Sequence, residues 1–158
     1  MHVIVDAYNL IMTSAEYGAV KGGRMQGARE GLVRDIGRYK KVRGHKVTLV
    51  FDATGAGGIE RTVDKKEGVN VIFTKRDETA DDVIIEMVER GSGVERVVVT
   101  SDVAVKRSAQ RRGAAVITSE GFVRKMERAF SEEETEEEMA PEKSSNYKSR
   151  RKISLDKL

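Results

Sequence analysis

Three apolar, β-branched runs in this chain each stop at an aspartate, and that shared ending constrains the fold more than any other feature. Val3-Ile4-Val5 ends at Asp6, Val47-Thr48-Leu49-Val50-Phe51 at Asp52, and Val97-Val98-Val99-Thr100-Ser101 at Asp102. Short continuous apolar runs of this kind read as buried strands. In an open parallel sheet the C-terminal ends of the strands face the crevice where ligands bind. An aspartate at such an end is a carboxylate aimed at a ligand.

The rest of the chain supplies the alternation that a parallel sheet needs. Lys46–Phe51, Val69–Phe73, Glu95–Thr100 and Ala115–Thr118 read as strands beside the first. Ala28, Leu32, Ile36 and Tyr39 recur at spacings of four, four and three, which predicts a helix over about Gln26–Val42 with one apolar face. Gly27, Gly31 and Gly37 weaken it, and Gly44 is a suitable stop. Thr79-Ala80-Asp81-Asp82 opens a second helix through Val83, Ile84, Met87 and Val88, ending near Gly91. Val103–Arg112 and Ser119–Phe130 read as two more, the last with a serine N-cap. Tyr17–Arg24 reads as a Gly- and Lys-containing loop. Thr54–Gly58 lacks the Gly-Lys-Ser/Thr ending of a phosphate-binding loop and reads as a flexible loop rather than a nucleotide cradle. The pattern predicts an α/β, Rossmann-like three-layer sandwich with a central, mainly parallel sheet of about five strands.

Length and charge divide the chain further. Its 158 residues suit one domain over residues 1–130 and a charged tail over 131–158. From Ser131 onward six Lys/Arg face eight Asp/Glu, a balance of −2, so residues 1–130 carry +5, the two parts summing to the overall +3. The folded part is therefore modestly basic, which favours an anionic partner. Glu132–Glu134 and Glu136–Glu138 form a like-charge block able either to prolong the last helix or to stay solvated, and Pro141 should end any helix there. Ile153–Leu158 offers apolar residues that could dock. The absence of cysteine excludes disulfides and thiolate zinc sites. No apolar run approaches the roughly 18 residues of a membrane span, and MHVIVDAYN lacks the pattern of a signal peptide. The expectation is a cytoplasmic protein. Aromatics are only 5% of the chain, so nucleic-acid contact would lean on phosphate charge more than on stacking.

A doubly wound sheet brings Asp6 and Asp102 to neighbouring strand tips, and a helix opening with Asp81 and Asp82 starts from the same edge. Carboxylates gathered this closely repel, and at least one stays protonated unless a cation is present. Magnesium or manganese resolves the conflict, because hard cations prefer oxygen ligands and retain waters. Asn9 would orient a water or ligand without adding charge. Each residue also has a purely structural reading. Asp82 follows Thr79 as in a capping box, Asp81 suits a first helical turn, Asp102 can cap the next helix, and Asp6 can open an Asx-turn. His2 and His45 read as structural or solvated. Arg29, with Lys21 and Arg24, flanks the expected active edge and could meet a phosphate backbone.

VDAYNLI at 5–11, VFDA at 50–53, VIFTKRDETADDVI at 71–84 and VVTSD at 98–102 occur in the order and spacing of NYN-domain proteins. Over roughly residues 1–130 the chain resembles that family, and most of all its bacterial YacP-type subgroup. The resemblance implies a PIN-like nuclease fold and magnesium- or manganese-dependent endoribonuclease activity. Some members of the subgroup act on mRNA in association with the ribosome. By position it implies a metal site of Asp6, Asp81 and Asp102, with Asn9 and Asp82 in the catalytic set and Asp52 a secondary candidate. Some NYN nucleases carry a further aspartate where this chain has Lys106, which implies one ion held firmly and a second only with substrate. Two functions follow: a metal-dependent endoribonuclease, or a catalytically inactive RNA- or ribosome-binding adaptor. A doubly wound phosphatase is disfavoured, because Asp6 is followed by Ala7-Tyr8 rather than by the Asp-x-Asp such enzymes use.

Overall fold

Val3, Ile4 and Val5 are wholly buried, and the strand they form, β1 (His2–Asp6), runs between two parallel neighbours. On one side it pairs with β2 (Lys46–Phe51) and on the other with β5 (Arg96–Val99). β2 pairs in parallel with β4 (Val69–Phe73), and β5 with β6 (Ala115–Ile117). These are the five strands expected. A sixth, β3 (Thr62–Lys66), runs antiparallel to β4 and completes the order β3-β4-β2-β1-β5-β6. All five of its residues are exposed, so TVDKK carries no apolar alternation by which a strand could be read. The structure, a computed structural model, describes residues 1–20, 25–53, 57–91, 93–139 and 155–158.

Alternation along the central strands feeds two apolar layers. Val3, Val5, Leu49, Phe51, Val97 and Val99 pack with α1 (Ala7–Thr13), α3 (Met25–Arg43) and α6 (Ser119–Met139). Ile4, Val50, Ile72 and Val98 pack on the other face with α4 (Ala80–Arg90) and α5 (Val103–Arg111). The chain leaves β1 toward β2 and β4, then returns through α4 to β5 on the opposite side of β1. The strand order therefore reverses between β1 and β5, which places the ligand crevice of a doubly wound sheet at Asp6.

Two short helices stand where the sequence suggested none, α1 and α2 (Ala15–Val20), and the expected loop at Tyr17–Arg24 is helical as far as Val20. Helices of seven and six residues are not stable alone. Ala7, Leu10, Ile11 and Tyr17 hold these two by burial in the core. α6 runs through the expected boundary at residue 130 to Met139, so the acidic block prolongs the helix. Its charge is met by α3: Glu133 and Glu134 reach Arg38 at 2.7 and 3.2 Å, and Glu132 reaches Arg43 at 2.8 Å. Leu158 is buried in the same layer, and the carbonyl of Lys157 lies 2.9 Å from His45 Nε2, so the last residues do dock. Residues 140–154, including Pro141, Ile153 and the basic stretch, lie outside the described residues.

The turn joining β3 to β4, Glu67-Gly68, has positive φ at both residues (53° and 76°), as a tight two-residue hairpin requires. It presses on α3 at Gly37, where a Cβ would stand 2.8 Å from Glu67 Cβ and 3.0 Å from Glu67 O. Gly37 is thus a contact residue rather than a defect in the helix. Gly37→Ala should lower stability, the crowding cost of about 1–3 kcal/mol outweighing a propensity gain of at most about 1 kcal/mol. Gly31→Ala, whose Cβ would meet only Arg34 Nη2 at 3.7 Å, should raise it by about 0.4–1 kcal/mol. Urea unfolding of the two variants beside the wild type measures both.

Candidate active site

Asp6 ends β1 with its side chain 7% exposed, which for a carboxylate requires partners. Thr100 supplies one, its hydroxyl donating to Asp6 Oδ2 at 3.0 Å, and the nearby backbone N–H of Asn9 also favours the charged form. Burial nevertheless dominates: it pushes the Asp6 carboxyl up to about 6, and the charges of Asp81 and Asp102 push the same way. Asp81, in the first turn of α4, is also raised, by burial first and then by Asp102, Asp82 and Asp52. The three carboxylates expected to share a site therefore feel one another across the switch point.

The helix starts that aim these groups are built from their neighbours. Asp102 caps α5, its Oδ1 accepting from Ala104 N at 2.9 Å and Val105 N at 3.2 Å. Its own N–H donates to Thr100 Oγ1 at 3.1 Å, so one threonine hydroxyl links the backbone of Asp102 to the carboxylate of Asp6. Thr79 and Asp82 form a full capping box at the start of α4. Asp82 N donates to Thr79 Oγ1 and Thr79 N to Asp82 Oδ2, both at 3.1 Å. Those bonds hold the Asp82 carboxyl below the usual range. Asp52 Oδ2 accepts from Ala80 N at 3.2 Å, tying the tip of β2 to the residue before Asp81. The structural and the functional readings of these aspartates thus coexist: capping fixes the direction in which the others point.

Asn9 is placed at the same edge, with a part that the sequence did not show. Its Oδ1 accepts from Ser101 N and from Ser119 Oγ, both at 2.8 Å, and Ser101 Oγ in turn accepts from Ser119 N at 3.1 Å. The side chain clamps the β5–α5 loop and the start of α6 onto α1. Thr100, Ser101 and Ser119 are the site residues that sequence reasoning missed; the only local signal was Thr-Ser before Asp102.

Arg29 faces this edge from α3, its Nη1 donating to Tyr8 Oη at 3.1 Å, while Lys21 and Arg24 lie outside the described residues. Of the Thr54–Gly58 loop, residues 54–56 also lie outside them. Gly57 N donates to Ala53 O at 2.7 Å, and Gly58 O accepts from Arg76 N at 3.0 Å. A Cβ at Gly57 would stand 2.9 Å from the 74–76 backbone, so only glycine fits there. His2 is structural, as expected: Nε2 lies 2.9 Å from Thr48 Oγ1, and burial first, then nearby cations, hold its ring down to about 4.

Comparison with known proteins agrees with this architecture. The model of the YacP-like NYN domain matches residues 3–158. "Uncharacterized protein YacP" of Bacillus subtilis (strain 168) is 33% identical over 87 residues, 55% of this chain; the match spans about half, 51%, of that relative's length. The crystal structure of Rae1 (YacP) from Bacillus subtilis superposes with a TM-score of 0.73 at 28% identity, covering 85% of this chain and 78% of that one. A mutant form of the same protein gives 0.73 at 26% identity, covering 85% and 79%. The chain belongs to the YacP-like NYN domain family.

Proposed function

We propose that this protein is a magnesium- or manganese-dependent endoribonuclease that hydrolyses RNA phosphodiester bonds. The observation that carries the reading is the buried Asp6 at the switch point, raised by burial and by the charges of Asp81 and Asp102. The nuclease character implied by NYN-domain membership supports it. The donor set fits a hard cation, since carboxylate oxygens are its preferred ligands and a bound cation relieves their repulsion. Among the described residues no three His, Asp or Glu side chains stand close enough to enclose an ion directly. The set therefore suits an ion that keeps several of its own waters. Such an ion supplies activation of a water and neutralises charge that develops on the phosphate oxygens.

The chain's own residues do the rest. Asp6, held by the Thr100 hydroxyl, would hold the ion together with Asp81 and Asp102, in part through the ion's own waters. Asp82 and Asp52 act as positioning residues that set the start of α4 and so the direction of Asp81. Asn9 acts by locking Ser101 and Ser119, which keeps the Asp102 loop against β1. Arg29 draws the RNA phosphates to the edge. Hydrolysis leaves a 5′-phosphate and a 3′-hydroxyl. The substrate we favour is mRNA, engaged on the ribosome in the cytoplasm; among the described residues no helix is long and apolar enough to cross a membrane. The open spacing of the carboxylates favours one second reading, an RNA- or ribosome-binding adaptor without catalysis.

With manganese or magnesium the protein should cleave a mixed-sequence RNA, and EDTA should stop it. Asp6→Asn should lower the rate more than about a hundredfold while the circular dichroism spectrum stays unchanged. If the wild type leaves both free RNA and RNA on translating ribosomes intact, the enzyme reading is lost and the adaptor remains. The adaptor would show binding that weakens steeply with salt.

Asn9→Ala should reduce cleavage and stability together, by about 1–3 kcal/mol for the latter, because it strands the N–H of Ser101 and the hydroxyl of Ser119. Cleavage lost with an unchanged melting temperature would instead give Asn9 a direct part in the chemistry.

Asp6 also predicts a pH signature in EDTA. Raised from 3.8 to about 6, its carboxyl binds a proton more readily folded than unfolded. Its charge therefore destabilises the fold, not at all below about pH 4 and fully above about pH 6. Asp6→Asn removes that burden and should be the more stable protein at neutral pH, by up to about 3 kcal/mol, the advantage fading toward pH 4. His2 titrates in the same range with the opposite slope, so denaturant midpoints of variant and wild type are compared at each pH.

A further inference from the structure

Beside the carboxylate edge the sheet carries a groove of which the proposed chemistry uses Arg29 alone. It lies between α3 and the β3–β4 hairpin as a cavity of about 650 Å³, lined by Arg29, Arg34, Phe51, Lys66, Glu67 and Phe73 among others. A second cavity of about 570 Å³ shares Arg29 and Phe73 with it and extends along the strand ends past Tyr8 and Gly57 to Asp52. Asp52 holds the N–H of Ala80, one residue before Asp81. A continuous path therefore leads from the groove to the candidate site.

The floor of this path is aromatic. Phe51 and Phe73 stack with centroids 5.1 Å apart and planes 15° from parallel, and Tyr8 packs edge-on against Phe51 at 5.2 Å. Phe51 is wholly buried, whereas Phe73 is half-buried and lines both cavities. In a chain with 5% aromatic residues, three of its eight Phe and Tyr rings converge here. Arg29, fixed through Tyr8 Oη, adds a planar cation at the junction of the two cavities. Arg34 and Lys66 add charge along the groove, against Glu30 and Glu67.

A flat apolar surface, a fixed guanidinium and flanking cations match one ligand chemistry, an unstacked nucleobase with its phosphates. The volume lies within the roughly 300–1,000 Å³ of sites that take groups of this size. We propose that this groove is a nucleobase subsite: one base of single-stranded RNA stacks on Phe73 beside Arg29, and its neighbouring phosphates meet Arg34 and Lys66. The inference rests on the endoribonuclease reading for its substrate class. It goes further in making cleavage depend on a base that can leave the helical stack, so that a duplex is excluded.

The test is a binding measurement made in EDTA, where no cleavage occurs. A short single-stranded RNA carries a fluorescent adenine analogue, quenched on stacking, placed at each position in turn. The wild type should quench the probe at one position of the strand and not quench the same strand in a duplex. Phe73→Leu, which keeps an apolar side chain against Phe51, should abolish that quench and weaken binding by about 5- to 100-fold with the salt slope unchanged. Phe73→Trp should restore it. A purely structural Phe73 would alter melting temperature without selecting one position in the strand. Equal quenching at all positions, or undiminished binding and quenching in folded Phe73→Leu, overturns the subsite. Failure of the nuclease reading is seen separately: quenching at one position with no cleavage in manganese keeps the subsite and removes the enzyme.

Discussion

A carboxylate held at the buried end of the central strand is the constraint on which the rest of this structure turns. Asp6 belongs to a strand hydrogen-bonded to a parallel neighbour on each side, so it cannot move away from its surroundings without opening the sheet. Two donors compensate part of its desolvation, and two further carboxylates add to the cost. A fold selected for stability alone would place Asn or an apolar residue there. Three mutually repelling acids at a strand-order reversal are the arrangement on which the proposed cation binding rests.

Hydrogen bonds made by the neighbouring acids explain how the candidate ligands are held at the crevice. Asp82 and Thr79 fix the first turn of α4, Asp52 ties Ala80 to β2, and Oδ1 of Asp102 fixes the first turn of α5. Each of these bonds satisfies an N–H that a helix start leaves without a partner. Local rules of capping and the chemistry of the site are thus served by the same residue type at adjacent positions. That is why an aspartate in this chain read equally well as a cap or as a ligand.

What the sequence disclosed and what it hid divide along physical lines. Four of the five parallel strands were legible as apolar runs buried largely on both faces, and β6, half-buried, as a short apolar run. β3 was not, since its five residues are all exposed and its pairing with β4 follows a turn in which Glu67 accepts positive φ. α1 was hidden because the residue before it, Asp6, gives no side-chain cap, and burial of Leu10 and Ile11 does the work instead. Among the candidate site residues Asp6, Asp81 and Asp102 were placed from strand ends and a helix start. The part of Asn9 was not, because Ser101 and Ser119 lie 92 and 110 residues away in sequence and only the finished sheet brings them to it.

The same distinction changes the meaning of the basic helix. By composition α3 is one long cationic surface, and a count over residues 1–130 credits all of it to an anionic partner. The fold divides it. Arg38 and Arg43, toward its C-terminal end, are met by Glu132, Glu133 and Glu134 of α6, with Arg38 also lying 4.2 Å over the Phe130 ring. Arg29 and Arg34, nearer its start, line the aromatic groove instead. Surface pairs of this kind contribute little stability and weaken with salt, so their larger effect is on where the field points. The acidic run cancels the charge of Arg38 and Arg43 toward the C-terminal end of α3 and leaves Arg29 and Arg34 beside the path to Asp6. Charge that looked like a diffuse property of the sequence becomes directional once the two helices are packed together.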